Sequence, residues 1–367
     1  MKQINLLLLL GLALFSISCE RDLDFSTPSE ETAGDMVVNA VAVEGTPFTL
    51  YLNKAYPVGK TPRLVSPTYD DAIFFKDDLT TDYVSNIYYK NTAVLDAQIE
   101  AEINGQQVYP MSLTANYDYT CDYKPKAGDH IVVNGIVNGQ KLRAETTVPT
   151  KPKIEILDYE VLNENSYQDK NGLFGGTDTI VRLKCQITDL GGEQYYRLRV
   201  RNEVNKKYAF YYSYFEGQTI DIDTITNYYM QDVYFSEDEL FSDARLTSSM
   251  GGWSTNFTTV FDNSLMKSGS YTFTIDSPKA SNTSGIIRYY WDFIGRYWEI
   301  ENDAVPRVMI ELQAISPELY NYMKSVQLYR VTTNDMYAEP VRLYSNVDGG
   351  WGIFGALSYD RHFVEYE

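Results

Sequence analysis

The stretch PVRLYSNVDGGWGIFGALSYD (residues 340–360) places Gly350, Gly352 and Gly355 in the spacing G-x-G-x-x-G. In a dinucleotide-binding fold this spacing joins a strand to a helix whose N-terminus receives the pyrophosphate, and a return strand follows. Only twelve residues follow Gly355, and residues 356–359 have no helical apolar spacing. The helix and the return strand do not fit into this length, so the pattern argues against a nucleotide site.

The same residues fit a turn followed by a strand. Asp348-Gly349 is a dipeptide typical of a type I′ turn, because both central residues of that turn need a positive φ. Gly350, Gly352 and Gly355 would then lie where the strand bulges or where another backbone comes close. We therefore predict that these glycines serve the packing of a β-structure.

Short strands joined by tight turns are predicted for residues 35–150. The dipeptides Asn104-Gly105 and Asn138-Gly139 each separate two strand-like stretches, which is the sequence signal of a β-hairpin. Such a series favours an immunoglobulin-like β-sandwich. Residues 57–92 form an acidic and aromatic insertion in this region, and loops of that length are either functional or disordered.

Residues 151–367 are predicted to form a larger β-rich domain with one amphipathic helix. Ser316 is suited to cap that helix, which should end near Tyr329 and pack on a sheet. Its apolar face comprises Leu319, Tyr322, Met323 and Val326. Strands are expected at residues 153–161, 179–188, 194–204, 206–215, 271–276, 286–294, 307–315 and 340–345. The expected fold class is therefore mainly β.

The first residues of the chain resemble an export signal. Residues 1–18 combine Lys2 with a short apolar core and end in Ser18, directly before Cys19. This is the pattern of a lipoprotein signal peptide, so we expect Cys19 to be acylated and to anchor the protein stably in a membrane. Residues 19–34 are polar and acidic, and they are predicted to form a flexible tether.

The charge of the chain limits its partners. The formal net charge is −19, which argues against nucleic acid as a partner, because phosphate binding needs a basic face. An anionic lipid surface would also repel the protein, so the acyl chains on Cys19 would have to hold it at the membrane.

The sequence contains no recognisable catalytic motif. Its two histidines, His130 and His362, are not accompanied by a nucleophile elbow of the form G-x-S-x-G. Cys121 and Cys185 could pair in an oxidising compartment, but we interpret them as buried free thiols. We expect no metal and no cofactor, and no enzymatic activity. A glycan hydrolase that uses two carboxylates remains an alternative.

Two aromatic runs, at residues 208–215 and 288–298, are candidate binding surfaces. Alternate strand residues point to opposite faces, so one face of each run would be aromatic. Trp291, Trp298 and Tyr212 are the residues we expect to stack on a sugar or a peptide. The alternative is that the runs fill the core and the space between the domains.

The tail from Tyr337 to Ala356, with YAEPV followed by YSNVDGGWGIFGA, closely resembles the C-terminus of the domain-of-unknown-function 4249 family. Looser matches occur at Ser18-Cys19 with its acidic continuation, at residues 124–129 and at residues 315–322. The resemblance implies a Bacteroidetes-type outer-membrane lipoprotein, lipid-anchored at the cell surface, that accompanies a TonB-dependent receptor. It supplies no catalytic residue, because the family has no established activity.

These expectations lead to three hypotheses about function. The favoured one is a lipid-anchored accessory protein that binds a glycan or a peptide for a TonB-dependent transporter. The second is a structural or adhesive surface lipoprotein without a nutrient ligand. The third is the carboxylate-based hydrolase.

Overall fold

A computed structural model of the chain describes residues 35–55, 93–164, 178–212, 219–228, 233–234, 236, 238–241, 254–255, 260–266, 269–278, 289–292, 295–300, 307–333 and 341–366. Within these ranges the protein is mainly β with one α-helix, which confirms the predicted fold class. The predicted signal peptide (1–18), tether (19–34) and insertion (57–92) lie outside the described residues.

The strands follow one another along the chain in three groups. The first group is β1 (Met36–Val43), β2 (Phe48–Lys54), β3 (Gln98–Ile103), β4 (Gln107–Pro110), β5 (Ser112–Leu113), β6 (Tyr119–Cys121), β7 (His130–Val137) and β8 (Gln140–Thr147). The second group is β9 (Lys153–Glu164), β10 (Asp178–Thr188), β11 (Tyr195–Tyr212), β12 (Thr219–Tyr228), β13 (Val233–Tyr234), β14 (Ser254–Thr255), β15 (Val260–Asp262) and β16 (Ser270–Pro278). The third group is β17 (Tyr289–Asp292), β18 (Gly295–Ile300), β19 (Arg307–Ile315), helix α1 (Pro317–Thr333), β20 (Val347–Asp348) and β21 (Trp351–Glu365).

The N-terminal strands form a two-sheet sandwich. One sheet has the order β20-β8-β7-β3-β4, and it faces the part of the large sheet with the order β21-β1-β2-β6-β5. In the first Asn-Gly turn, Asn104 has a φ of 54° and Gly105 a φ of 66°. In the second, Asn138 has a φ of 50° and Gly139 a φ of 83°. Both predicted hairpin turns are therefore confirmed as turns with two left-handed residues.

The last strand, β21, belongs to both halves of the molecule. Its first part pairs in parallel with β1, from Val37 opposite Trp351 to Val43 opposite Leu357. Its second part pairs antiparallel with β19, up to Arg307 opposite Glu365. The N-terminal sandwich is thus completed by residues from the far end of the chain, and the boundary predicted at residue 150 stays a prediction.

The glycines of the tail allow this close pairing. A Cβ on Gly350 would lie 2.7 Å from the carbonyl oxygen of Met36, and one on Gly355 would lie 2.8 Å from the Cβ of Leu319. At Gly352 the φ is 107°, and a Cβ would overlap the Val38 carbonyl oxygen. The interpretation as sites of close backbone approach is therefore confirmed for Gly350 and Gly352, whereas at Gly355 the close neighbour is the Leu319 side chain.

The predicted type I′ turn at Asp348-Gly349 is wrong. Gly349 has a φ of 78°, but Asp348 is not among the residues with positive φ, and it pairs with Arg143 of β8. The chain does not fold back into a hairpin at this point. It passes from the sheet that contains β20 into the sheet that contains β21.

The second half of the molecule is another pair of facing sheets. A three-stranded sheet, β16-β10-β9, packs against β11, β19 and the end of β21 around a separate hydrophobic core. Strand β19 has the predicted bounds, whereas the two strands predicted at 194–204 and 206–215 are one continuous strand, β11. No strand forms at residues 341–346, where the Tyr344 amide donates to Ser325 Oγ at 2.9 Å instead of to a neighbouring strand.

Helix α1 packs on the large sheet, as predicted. The Leu319 amide donates to Ser316 Oγ at 3.4 Å, so Ser316 caps the helix. The same hydroxyl accepts from the Ala356 amide of β21 at 3.2 Å, and Leu319 is buried with Ile353 and Leu357. One serine therefore fixes both the start of the helix and its position on the last strand.

Candidate functional site

An open cleft of about 380 Å³ lies at one end of the N-terminal sandwich. It is bordered by the turn between β3 and β4 and by the loop of residues 122–129 between β6 and β7. The side chains used below are Asn104, Gln107, Tyr109, Tyr123, Lys126 and Asp129. This concave surface combines aromatic rings with polar groups, so we consider it the candidate site.

Asp129 holds the floor of the cleft together. Its Oδ2 accepts a hydrogen bond from the Tyr123 hydroxyl at 2.6 Å and from the Lys126 amide at 2.8 Å. Its Oδ1 accepts from Asn104 Nδ2 at 2.9 Å, and the Asn104 Oδ1 in turn accepts from the His130 amide at 2.9 Å. The carboxylate therefore joins the loop to the β3–β4 turn.

This network also fixes the protonation of the cleft. Burial alone would raise the pKa of Asp129, but the hydrogen bonds from Tyr123, Asn104 and the Lys126 amide outweigh it, and the pKa is lowered. The hydrogen bond to the carboxylate and partial burial raise the pKa of Tyr123 from 10.0 to about 12. At neutral pH the cleft thus contains an ionised Asp129 and a neutral phenol, both already bonded to each other.

Two tyrosine rings form the wall above this floor. The ring centroids of Tyr109 and Tyr123 lie 5.0 Å apart with an angle of 38° between the planes. The Tyr109 hydroxyl donates to Gln107 Oε1 at 2.8 Å, while Gln107 and Lys126 are exposed. A polar ligand could contact these rings and accept hydrogen bonds from the Gln107 amide and the Lys126 ammonium group, as sugars and peptides do.

The cleft and the start of the described chain lie at opposite ends of β1. Asp35, which precedes β1, accepts a hydrogen bond from the Trp351 indole at 2.9 Å. After β1, the Gly45 amide donates to the Pro125 carbonyl at 2.8 Å, next to the cleft. The eight residues of β1 make seven steps, so its two ends lie about 23 Å apart at about 3.3 Å per step.

The residues predicted from the sequence lie elsewhere. Cys19 is outside the described residues. Trp291 pairs with Arg296, and Trp298 pairs with Ala209 of β11, so positions 291 and 298 fall on one face of the sheet and position 212 (Tyr212) on the other. The side chains of all three lie outside the described residues, and their role in ligand stacking stays a prediction.

The thiols and histidines contribute no reactive group in the described part of the chain. Cys121 and Cys185 are both buried and free, and burial raises the pKa of Cys185 to about 12. His362 Nε2 lies 3.2 Å from Asp360 Oδ2, and His130 is half-exposed near Glu145. Among the described residues no three His, Cys, Asp or Glu side chains are arranged to hold a metal ion.

Sequence reasoning did not find the cleft. It treated Asn104 as a turn residue and Asp129 as the residue before a strand, although both are short polar side chains beside glycines. The signal that could have found it is the pair of polar turns at one end of a predicted sandwich, because loops that share an end of such a fold commonly form its binding site.

The fold and the cleft define a mainly β protein of two consecutive sandwiches with an open polar site. No helix among the described residues has the length and apolar character needed to cross a bilayer. The chain belongs to the family described as Domain of unknown function (DUF4249), whose model matches residues 20–362. This match confirms the family resemblance of the tail.

Comparison with other known proteins adds little. No curated protein matches the sequence. A crystal structure of a putative membrane anchored protein from Corynebacterium diphtheriae matches with 10% identity and a TM-score of 0.19. The match covers 77% of this chain and 55% of that chain, so the protein spans little more than half of the length of that structure.

Proposed function

We propose that this protein is a lipid-anchored component of the outer membrane that binds a glycan or a peptide for a TonB-dependent transporter. The anchor is the acylated Cys19, and the acidic residues that follow it separate the folded part from the bilayer. A surface position favours uptake of a ligand from the medium. The proposal joins this sequence argument to the geometry of the cleft.

The observation that supports binding most directly is the position of the cleft relative to the tether. The tether joins the folded part at Asp35, and the cleft lies beyond the other end of β1, near Gly45. A protein anchored at one end of a sandwich presents the opposite end away from its anchor. The cleft would therefore remain accessible to a ligand while the acyl chains stay in the membrane.

The chemistry of the cleft favours a neutral polar ligand. Asp129 has its hydrogen-bonding capacity used by Tyr123, Asn104 and Lys126, so it is a supporting group and offers no free base. A ligand would meet the partly buried rings of Tyr109 and Tyr123 and the exposed side chains of Gln107 and Lys126. These groups suit stacking and hydrogen bonding, which favours binding over hydrolysis.

The anchor is tested with Cys19→Ser in the native host. We expect the native protein to be recovered from the membrane fraction with acyl chains detected by mass spectrometry, and the variant to be released. Gentle detergent extraction should also recover an outer-membrane barrel together with the native protein. Recovery of an unacylated Cys19 would contradict the lipid anchor. Recovery of a monomer without a partner would contradict the association with a transporter.

The cleft is tested by binding of neutral oligosaccharides and short peptides to the purified folded part, measured by calorimetry. Gln107→Ala and Tyr109→Ala should each weaken binding about tenfold, since each removes a contact worth about 1–1.5 kcal/mol. Tyr329→Ala is the matched control, because Tyr329 is 46% exposed on helix α1 and does not line the cleft. If neither ligand class binds at micromolar concentration, the structural or adhesive alternative is favoured. If an oligosaccharide is cleaved, the hydrolase is favoured.

A further inference from the structure

Strand β9 is an exposed sheet edge with an unusual concentration of apolar side chains. It is the last strand of the sheet β16-β10-β9, and within the described residues it pairs with β10 alone. Leu157, Tyr159 and Val161 are 46%, 47% and 37% exposed. No other described strand exposes three large apolar side chains, and edges of this kind are usually blocked or covered.

Some backbone amides of β9 point away from β10, toward the open side of the edge. The Ile154 amide donates to Asp360 Oδ2 at 3.1 Å, and the Tyr159 amide donates to Asp158 Oδ1 at 2.9 Å. Both amides therefore point away from β10, and each is occupied by a carboxylate. β9 is irregular opposite the step from Lys184 to Cys185, and beyond this point its amides again point alternately toward and away from β10. The amide of Val161, two residues after Tyr159, therefore points away from β10 as well.

The apolar side chains form the rim of the second core. Tyr159 pairs with Leu183 and Val161 pairs with Val181, and both partners on β10 are fully buried. Paired residues lie on the same face of a sheet, so Tyr159 and Val161 continue the buried surface to the edge. An added strand would extend the sheet and cover this rim at the same time.

On the other face, the outermost strand carries two carboxylates, each opposite a basic residue of β10: Asp158 opposite Lys184 and Glu160 opposite Arg182. Asp158 and Glu160 alternate with the apolar residues, and the side chain of Glu160 is 57% exposed at 3.7 Å from Arg182. A second copy of the chain, pairing edge to edge, would bring these carboxylates together. A strand with basic residues at the matching positions would instead place opposite charges side by side.

We propose that β9 binds an extended segment of another protein by strand addition. The segment pairs with the outward backbone groups of Val161 and, in place of the Asp158 carboxylate, with the Tyr159 amide. It alternates apolar residues on the rim side with lysine or arginine opposite Asp158 and Glu160. This surface is on the sandwich that does not contain the cleft. The proposal is therefore independent of the proposed ligand binding and can fail or succeed separately.

The probe for the test is a nine-residue peptide of alternating valine and lysine, with an alternating valine and glutamate peptide as its charge control. Both are titrated into the folded full-length chain without its signal peptide, and binding is followed by fluorescence anisotropy. Amide hydrogen exchange is measured in parallel. We expect the basic peptide to bind and to slow exchange at residues 159–161, and the acidic peptide to do neither.

Two variants separate strand addition from general adhesion. Val161→Pro removes an outward amide without removing a bond to β10, so the fold should persist while the affinity for the basic peptide falls about tenfold or more. The double variant Asp158→Asn, Glu160→Gln should lower the affinity for the basic peptide and raise the affinity for the acidic peptide. Leu190→Ser is the control, because Leu190 is an exposed apolar residue away from β9.

Three results would overturn the proposal. The first is no binding of the basic peptide, and the second is equal binding to the native protein and the Val161→Pro variant. The third is a concentration-dependent dimer whose amide protection lies at residues 159–161, since a second copy would then occupy the edge.

Discussion

The side-chain amide of Asn346 binds both backbone groups of Phe354. Its Nδ2 donates to the Phe354 carbonyl at 2.8 Å, and its Oδ1 accepts from the Phe354 amide at 3.0 Å. The same Nδ2 also donates to the Glu145 carbonyl of β8 at 3.0 Å. One side chain thus substitutes for a strand neighbour of β21 and ties it to the facing sheet of the N-terminal sandwich.

Asn346→Ala should therefore destabilise the protein by about 2–4 kcal/mol, because the buried backbone groups of Phe354 lose their partners. The free energy of unfolding is measured by urea denaturation. Asn134→Ala is the control, since the half-buried Asn134 makes no side-chain hydrogen bond to any described residue. Equal losses for the two variants would contradict the role given to Asn346.

Gly352→Ala should cost more than about 3 kcal/mol, because a Cβ at this position combines a positive φ with overlap of the Val38 carbonyl oxygen. Gly45→Ala separates the two effects. Gly45 has a φ of 79°, but its Cβ would meet no atom within 4 Å. Gly45→Ala should therefore lower the free energy of unfolding by only about 1–2 kcal/mol, the cost of an alanine in the left-handed region. A Gly352 variant no less stable than the control would show that the parallel pairing with β1 is looser than described.

The carboxylate of Glu311 is buried between arginines on the helix-bearing face of the large sheet. Glu311 is 1% exposed, and its Oε2 accepts from Arg361 Nε at 2.6 Å while Oε1 accepts from Gln313 at 2.6 Å. Removing one partner of a buried pair leaves the other charge in the interior. Glu311→Ala should therefore cost about 3–5 kcal/mol.

A surface ion pair of similar length provides the comparison for Glu311. Glu155 lies 2.6 Å from Lys153, and both side chains are about half-exposed. Because water and salt screen such a pair, Glu155→Ala should change the free energy of unfolding by no more than about 1 kcal/mol. Raising the salt concentration should reduce this small effect and leave the effect of Glu311→Ala in place.

Asp129 should make the stability of the protein depend on acid pH. Its pKa is lowered in the folded state from an ordinary value of 3.8, so its contribution is complete above that value and is lost as the pH falls through the folded pKa. At pH 7 Asp129→Asn should cost about 1–3 kcal/mol, and the difference from the native protein should shrink below about pH 4. Asp122→Asn, an exposed change in the same loop, is the control and should leave the stability at pH 7 unchanged.

Short sequence motifs were sufficient to predict the turns and the helix start that depend only on neighbouring residues in the chain. The two Asn-Gly turns require left-handed residues, and Ser316 before Pro317 marks a helix start, so both could be predicted. The merging of two predicted strands into β11 shows the limit of this approach. A strand breaks or continues according to its neighbours, and β11 has β12, β15, β18 and β19 along its length.

Long-range pairing explains what could not be predicted. Nothing in residues 347–357 indicates that their partners are β8 and β1, because both pairings join strands far apart in the chain, without a turn between them. The cleft depends on the same kind of information, since Asn104 and Asp129 meet only after β3 has paired with β7.

Asp35 and Trp351 are 316 positions apart, yet the strands that begin beside them are neighbours. A ribosome releases the amino end first, so the opening third of the polypeptide must wait for nearly everything behind it before its sheet can close. Until residues 351–357 have been made, β1 has no strand neighbour on the side where β21 pairs with it. The parallel pair is thus among the last contacts of the N-terminal sheet that can form during synthesis.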